Sequence, residues 1–361
     1  MRIAVDARPF EECPTGVGRY LDGLLFAWLC ARPGDSFVLL SPRAVHLPPR
    51  LAGRVSVLSS SALPGTIWLQ TAAGPAARRA GADAFLGSLG ILPLASRLPG
   101  VATVHDLTPI LFPEWHSRKN RLGFTPFIGA TVRRARRIAA VSEATRRDLV
   151  AAFPDAAGKT RVVHNGIETE VPGAGGEAPH AGRPYILFVG TLEPRKNVVR
   201  LVAAMETIWD RRPAFPDLVL AGGDGWGMDG FAEDVARSRH ANRVVRAGYL
   251  GAGERARWLR EARVFAYPSL YEGFGLPPLE AMAQGTPVVG SSASSLPEAM
   301  GGVGLLPDPT SVPDIALALE RAHDDADFRR RAAVEGPLHA ATFTWAEAAA
   351  KMRILFEEAL A

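Results

Sequence analysis

Val264-Phe-Ala-Tyr-Pro-Ser-Leu-Tyr-Glu-Gly-Phe-Gly-Leu-Pro-Pro-Leu-Glu280 runs from an apolar strand, through a glycine-bearing loop, into a helix. Pro277 and Pro278 have a fixed φ and no N–H. They suit the first turn of a helix that continues through Leu279, Glu280, Ala281 and Met282 to a stop at Gly285. Gly273 and Gly275 let backbone amides approach a ligand, and the N–H groups of a helix start favour an anion such as a phosphate. Glu272 stands at the start of the loop and Glu280 in the first turn. Either glutamate alone reads first as a solvated or dipole-complementing carboxylate. The whole string is more specific, because strand-to-helix turns in open α/β sheets are where ligands bind.

Outward from this stretch, short apolar runs alternate with longer helical patterns, which predicts parallel sheets covered by helices. One sheet uses Ile3–Asp6, Phe37–Leu40, Val55–Leu58, Ala84–Leu86, Val101–Val104, Ile138–Val141 and Val162–Val163. A second uses Tyr185–Val189, Leu218–Ala221, Val244–Val245, Val264–Tyr267, Pro287–Val289 and a short run near Gly304–Leu306. Between the two lies a Gly- and Pro-rich stretch without periodicity, from Val171 to Gly182, which reads as a linker. The expected division is a first domain over 1–168, a linker over 169–183, a second domain over 184–342 and a C-terminal helix over 343–361. That helix, Trp345 to Leu360, has an apolar face able to pack back on a domain.

A chain of 361 residues with 47% hydrophobic residues is long enough for two such cores. It contains no apolar run of about eighteen residues, and Met1-Arg-Ile-Ala-Val-Asp6 starts as a strand rather than a signal peptide. The expected location is the cytoplasm. Cys13 and Cys30 form neither a disulfide framework nor a metal spacing, so they read as reduced structural thiols. The net charge is only +4, yet basic residues crowd the first half at Arg78-Arg79, Arg118-Lys119-Asn-Arg121, Arg133-Arg134-Ala-Arg136-Arg137 and Arg146-Arg147. No recognition motif or aromatic platform accompanies them, which argues against nucleic acid. They read either as solvated helix faces or as a contact with an anionic membrane, where each basic residue contributes about 1 kcal/mol.

Thr15-Gly-Val-Gly-Arg-Tyr20 is a glycine loop that leads into the helical pattern Leu21 to Cys30. It is not a dinucleotide fingerprint, because Leu21 occupies the third glycine's place and the loop starts about ten residues after the strand. Gly16 and Gly18 instead bring backbone close to a phosphate or second substrate, or simply make the loop flexible. Gly190-Thr-Leu-Glu-Pro-Arg-Lys-Asn197 follows the first strand of the second half. There Arg195 offers a planar fork and Lys196 a compact charge, a pair suited to a diphosphate. His105-Asp106 ends the strand Val101–Val104, and alone reads first as a structural histidine. Ser142 reads as a helix N-cap.

Together these residues resemble the retaining glycosyltransferases of family 4, and within it a subset of mannosyltransferases. The resemblance covers nearly the whole chain. It rests on Glu272 to Glu280 as an E-x7-E motif, on Arg195-Lys196 and on Gly-Val-Gly-Arg-Tyr. Weaker matches are His105-Asp106, Val141-Ser142-Glu143, Asn165-Gly166-Ile167, Pro297-Glu298 and Leu306-Pro-Asp-Pro309. It implies the GT-B fold, two Rossmann-like doubly wound α/β domains facing each other across a deep cleft, with the C-terminal helix packing back on the first. It implies a nucleotide-sugar donor held by the second domain, an acceptor held by the first, no cofactor and no metal.

By the same resemblance Glu280 binds the ribose, while Glu272 and the amides of Phe274, Gly275 and Leu276 hold the sugar. Arg195 and Lys196 bind the pyrophosphate and stabilise the charge that grows on it. Gly16 and Gly18 approach the same phosphates, backbone near Tyr249 and Leu250 holds the base, and His105 orients hydroxyls. The implied mechanism is front-face attack with the leaving phosphate taking the acceptor's proton, so Glu272 is an orienting group rather than the nucleophile of a double displacement. Three positions depart from the pattern: Thr191 replaces an arginine, Asn197 a glycine, and His164 a proline.

The expected reaction moves a hexose, mannose from GDP-mannose first, onto a glycan or lipid-linked acceptor in polysaccharide biosynthesis, in the cytoplasm or at the inner face of the membrane. A UDP-sugar donor is the alternative. A non-catalytic scaffold is the rival of another class, and the presence of Glu272, Glu280, Arg195 and Lys196 weighs against it. An epimerase or phosphorylase on the same fold also stays open, whereas a nicotinamide oxidoreductase lacks its glycine fingerprint.

Overall fold

The computed structural model describes residues 1–11, 16–59, 63–168, 179–228 and 230–361, with the side chains of 118–120 and 179 left aside. Thr15, Cys13 and most of the expected linker, 169–178, lie outside the described residues. The chain divides into two compact units, Met1–Gly166 with Phe343–Ala361, and Ile167–Thr342.

Among the described residues the first unit holds seven parallel strands: β1 Arg2–Asp6, β2 Ser36–Ser41, β3 Ser56–Ser59, β4 Ala84–Gly87, β5 Gly100–Val104, β6 Arg137–Ala140 and β7 Thr160–Val162. Their order is β3-β2-β1-β4-β5-β6-β7. The period of two sends Ile3, Val5 and Leu39 to one face and Ala4, Val38 and Leu40 to the other, and both faces are buried. Helices α1 (Gly16–Ala31), α2 (Arg118–Arg134) and α3 (Glu143–Ala152) belong to this unit. Ser142 caps α3, its hydroxyl accepting from the Thr145 amide at 3.0 Å.

The second unit holds β8 Tyr185–Val189, β9 Asp217–Ala221, β10 Val244–Gly248, β11 Val264–Ala266 and β12 Val288–Val289, in the order β10-β9-β8-β11-β12. Leu305 forms only an isolated bridge to Val289 in place of the strand expected near Gly304–Leu306. To this unit belong helices α4 (Val198–Arg211), α5 (Ala252–Glu261), α6 (Leu276–Ala283), α7 (Leu296–Met300), α8 (Val312–Asp324) and α9 (Ala326–Ala340), with a further short helix over Phe231–Arg237. In α4, Leu201, Val202, Met205, Ile208 and Trp209 recur at helical spacing and are buried. In both sheets the strand order reverses beside the first strand, between β1 and β4 and between β8 and β11. Ligands of doubly wound sheets bind at the carboxyl ends of strands at such a point.

The last helix, α10 (Trp345–Leu360), packs on α1 in the first unit. Ala348, Ala349, Met352, Leu355, Phe356 and Ala359 form its buried stripe. Two glycines make room for its start. A Cβ at Gly23 would lie 2.2 Å from the Trp345 indole, and one at Gly166 2.2 Å from the Trp345 amide nitrogen. Among the described residues no helix is long and apolar enough to cross a membrane. Of the basic groups, Arg78, Arg79, Arg121, Arg133, Arg136 and Arg147 are exposed. Arg134 instead donates to the Ser96 and Leu98 carbonyls, and Arg137 pairs with Glu358. Cys30 is a free, exposed thiol.

Candidate active site

The turn after β8 and the loop after β11 meet at the switch point of the second sheet. Pro194 starts a short 3-10 turn, Pro194–Lys196, and Asn197 then adopts φ +61°, a left-handed conformation that asparagine tolerates better than most residues. Its amide donates to the Pro268 and Pro309 carbonyls at 2.9 and 2.6 Å. The Leu270 amide donates to the Arg195 carbonyl at 2.8 Å. Asn197 thus suits a backbone a glycine would also adopt, while its side chain ties the turn to the segment before Glu272 and to Leu306-Pro-Asp-Pro309.

These ties bring four charges together. Lys196 Nζ lies 2.6 Å from Glu272 Oε1 and 2.5 Å from the Tyr267 hydroxyl. Arg195 Nη1 lies 3.1 Å from Glu272 Oε2, and its Nε 2.6 Å from Glu193 Oε1. Glu193, Lys196 and Glu272 are 2%, 7% and 7% exposed. Burial would raise the Glu272 carboxyl, but Lys196 and then Arg195 outweigh it and hold it below the usual range. Burial also lowers Lys196, against the pull of Glu272, and raises the Tyr267 hydroxyl well above its ordinary value. Two carboxylates and two cations balance, so the cluster carries no net charge.

Beyond Glu272 the loop turns on Gly275, at φ +115°, where a Cβ would also lie 2.7 Å from Leu296 Cδ2. Helix α6 follows, with Pro277 and Pro278 in its first turn and Gly285, at φ +74°, just past its end. Among the described residues the amides of Gly275 and Leu276 have no recorded protein acceptor. They suit an anionic or hydroxyl ligand. Glu280 Oε2 is 3.2 Å from Arg255 Nε of α5, and Tyr249 and Leu250, which precede α5, are exposed and buried respectively.

In the first unit, His105 follows β5. Its Nε2 is 2.9 Å from the Ser88 carbonyl, and Tyr20 meets its ring edge-on with centroids 4.8 Å apart. A carbonyl only accepts, so Nε2 carries the proton and, in the neutral ring, Nδ1 is the acceptor. Burial keeps the imidazole below its ordinary pKa in spite of the Ser88 carbonyl and Asp106. Asp106 accepts from the Thr108 amide at 2.9 Å and its hydroxyl at 2.6 Å. Gly16 and Gly18 lie within the first turn of α1, not in a loop ahead of a helix at Leu21. First-turn amides have no intrahelical acceptor, so glycine serves there as well as in a loop.

Sequence reasoning missed Tyr267, Glu193, Arg255, Ser294 and Ser295. Tyr267 and Glu193 sit inside stretches it singled out. Arg255 is one arginine among many, with no spacing that marks it.

A family model described as Glycosyltransferase Family 4 matches residues 16–171, and one described as Glycosyl transferases group 1 matches residues 183–325. The chain is 32% identical to the O-antigen chain mannosyltransferase B of Escherichia coli over 254 residues, 68% of this chain and 66% of that protein. It is 31% identical over 169 residues to the serotype-specific mannosyltransferase WbdA of Escherichia coli, 46% of this chain and 20% of that protein. The matches thus span less than two thirds of the length of either relative. Among solved structures, Anabaena Alr3699/HepE in complex with UDP-glucose superposes with a TM-score of 0.75 at 19% identity, over 99% of both chains.

Proposed function

The chain belongs to glycosyltransferase family 4, and from that premise we propose that it moves mannose from GDP-mannose to a saccharide or lipid-linked acceptor with retention of configuration. The observation that carries this reading is the buried Glu272–Lys196–Arg195 cluster at the switch point of the second sheet. Arg195 and Lys196 bind the diphosphate and stabilise its growing charge as the sugar leaves. Lys196 has three N–H bonds and two recorded acceptors among the described residues, which leaves one for a phosphate oxygen. The Gly275 and Leu276 amides serve the sugar side, Glu280 the ribose, and backbone near Tyr249 and Leu250 the base.

Glu272 is a poor nucleophile on this reading. Both of its oxygens are engaged by cations, and its charge is stabilised by them rather than poised to attack carbon. That favours front-face transfer, in which the leaving phosphate takes the acceptor's proton. His105 orients sugar or acceptor hydroxyls, and the basic first unit offers an anionic membrane its peripheral contact. Metal-independent transfer goes with this reading, in which Arg195 and Lys196 are the cations assigned to the diphosphate. The test is GDP release and mannose transfer from GDP-mannose, with UDP-glucose alongside, in the presence and absence of a chelator. α-Linked mannose formed with the chelator present supports the reading, and turnover of UDP-glucose alone moves the donor to the UDP-sugar alternative.

A further inference from the structure

Two consecutive serines grip the backbone of Glu272. The Glu272 amide donates to Ser294 Oγ at 2.8 Å, and the same hydroxyl donates back to the Glu272 carbonyl at 3.0 Å. Ser295, fully buried, places its hydroxyl 2.9 Å from the Glu272 carbonyl and 2.8 Å from that of Phe274. One hydroxyl therefore satisfies both backbone groups of the residue whose carboxylate lies between Arg195 and Lys196. Ser294 holds this place at φ +51°, a left-handed backbone that glycine takes without strain and serine does not. The hydroxyl is what a glycine here would lack.

We propose that Ser294, with Ser295 beside it, is a positioning residue for the transfer reaction. It fixes the Glu272 backbone so that the carboxylate keeps its register between the two cations while the sugar binds and leaves. The proposal rests on the reading of Glu272 as the sugar-side group. A loop pinned only by its charged side chain follows the cations when a diphosphate draws on them. A loop pinned at its amide and carbonyl does not. The predicted effect therefore falls on turnover rather than on nucleotide binding.

The test compares wild type, Ser294→Gly, Glu272→Gln and the double variant, using GDP-mannose and GDP, or UDP-glucose and UDP if that is the donor turned over. Ser294→Gly relieves the backbone strain, so it is expected to melt within about 3 °C of wild type. It is expected to bind the nucleoside diphosphate within about twofold and to show kcat lower by about tenfold. In the Glu272→Gln background the same substitution is expected to cost nothing further, since it acts through Glu272. Wild-type kcat in Ser294→Gly, or the same tenfold loss in both backgrounds, would overturn the proposal. Full turnover in Glu272→Gln is a different result and would overturn the reading of Glu272 itself.

Discussion

Lys196→Met keeps the unbranched apolar stem of the side chain and removes its charged end. Lys196 Nζ and Glu272 Oε1 are 2.6 Å apart, with both side chains 8% exposed, so the substitution leaves a buried carboxylate with Arg195 as its remaining cationic partner. Removing one member of a buried pair costs roughly 3–5 kcal/mol, whereas replacing both by neutral groups is close to neutral. With Arg195 still present the lower end applies, about 3 kcal/mol. For a unit the size of residues 167–342 that is a fall of roughly 6–12 °C in melting temperature, read by scanning calorimetry.

The pH dependence has a definite sign. In wild type the Glu272 carboxyl is held below its ordinary value, so its contribution is present above the unfolded value and lost as pH falls through the folded one. Without Lys196, burial dominates and raises the folded value. Stability is then lost as pH rises through it, so the deficit against wild type is larger near neutral pH than at about pH 5. Glu272→Gln with Lys196→Met is expected to recover at least half of the lost stability and none of the activity. An unchanged melting temperature in Lys196→Met, or a double variant destabilised by the sum of the singles, would refute the reasoning.

Three other outcomes follow from the same geometry. Gly275→Ala forces an L side chain to φ +115° beside Leu296, and is expected to cost about 1–3 kcal/mol by thermal unfolding and to slow transfer with it. Gly23→Ala drives a methyl into the Trp345 indole. Calorimetry is expected to show about 1–3 kcal/mol of destabilisation, with nucleotide binding by the second unit unchanged, because both residues belong to the first. His105 titrates below its ordinary value through burial, so its contribution to stability is lost as pH falls below about 6.5. His105→Gln, which keeps a donor for the Ser88 carbonyl, is expected to flatten that part of the melting-temperature profile between about pH 5 and 7 while slowing transfer.

Much of this architecture was legible because each strand is a short apolar run with a turn signal after it. Tyr185–Val189 and Trp345–Leu360 have the same bounds in the sequence reading and in the structure. The order of strands was not, since pairing is decided by faces that meet only in the folded chain. It is that order which puts the Arg195-Lys196 turn beside the Glu272 loop. Residues 304–306 show the limit of short runs, where one bridge forms and no strand. At the site, the charged residues of the two motifs were readable and their mutual pairing was not. Assigning Arg195 and Lys196 to a phosphate and Glu272 to a sugar carries no hint that Glu272 also pairs with both cations. Ser294 and Ser295 were invisible for another reason: their role is to bond backbone 22 or 23 positions earlier, which no local spacing encodes.

The claim beneath all of this is that the Glu272–Lys196–Arg195 cluster is the diphosphate end of a nucleotide-sugar site. Calorimetric titration of wild type and Lys196→Met with GDP, UDP and ADP tests it most directly, because it needs no acceptor. The account predicts that wild type binds one nucleoside diphosphate, GDP first, and that Lys196→Met, still folded, binds it at least about tenfold more weakly. Equal affinity in the two proteins, or no nucleoside diphosphate bound by wild type, would contradict it.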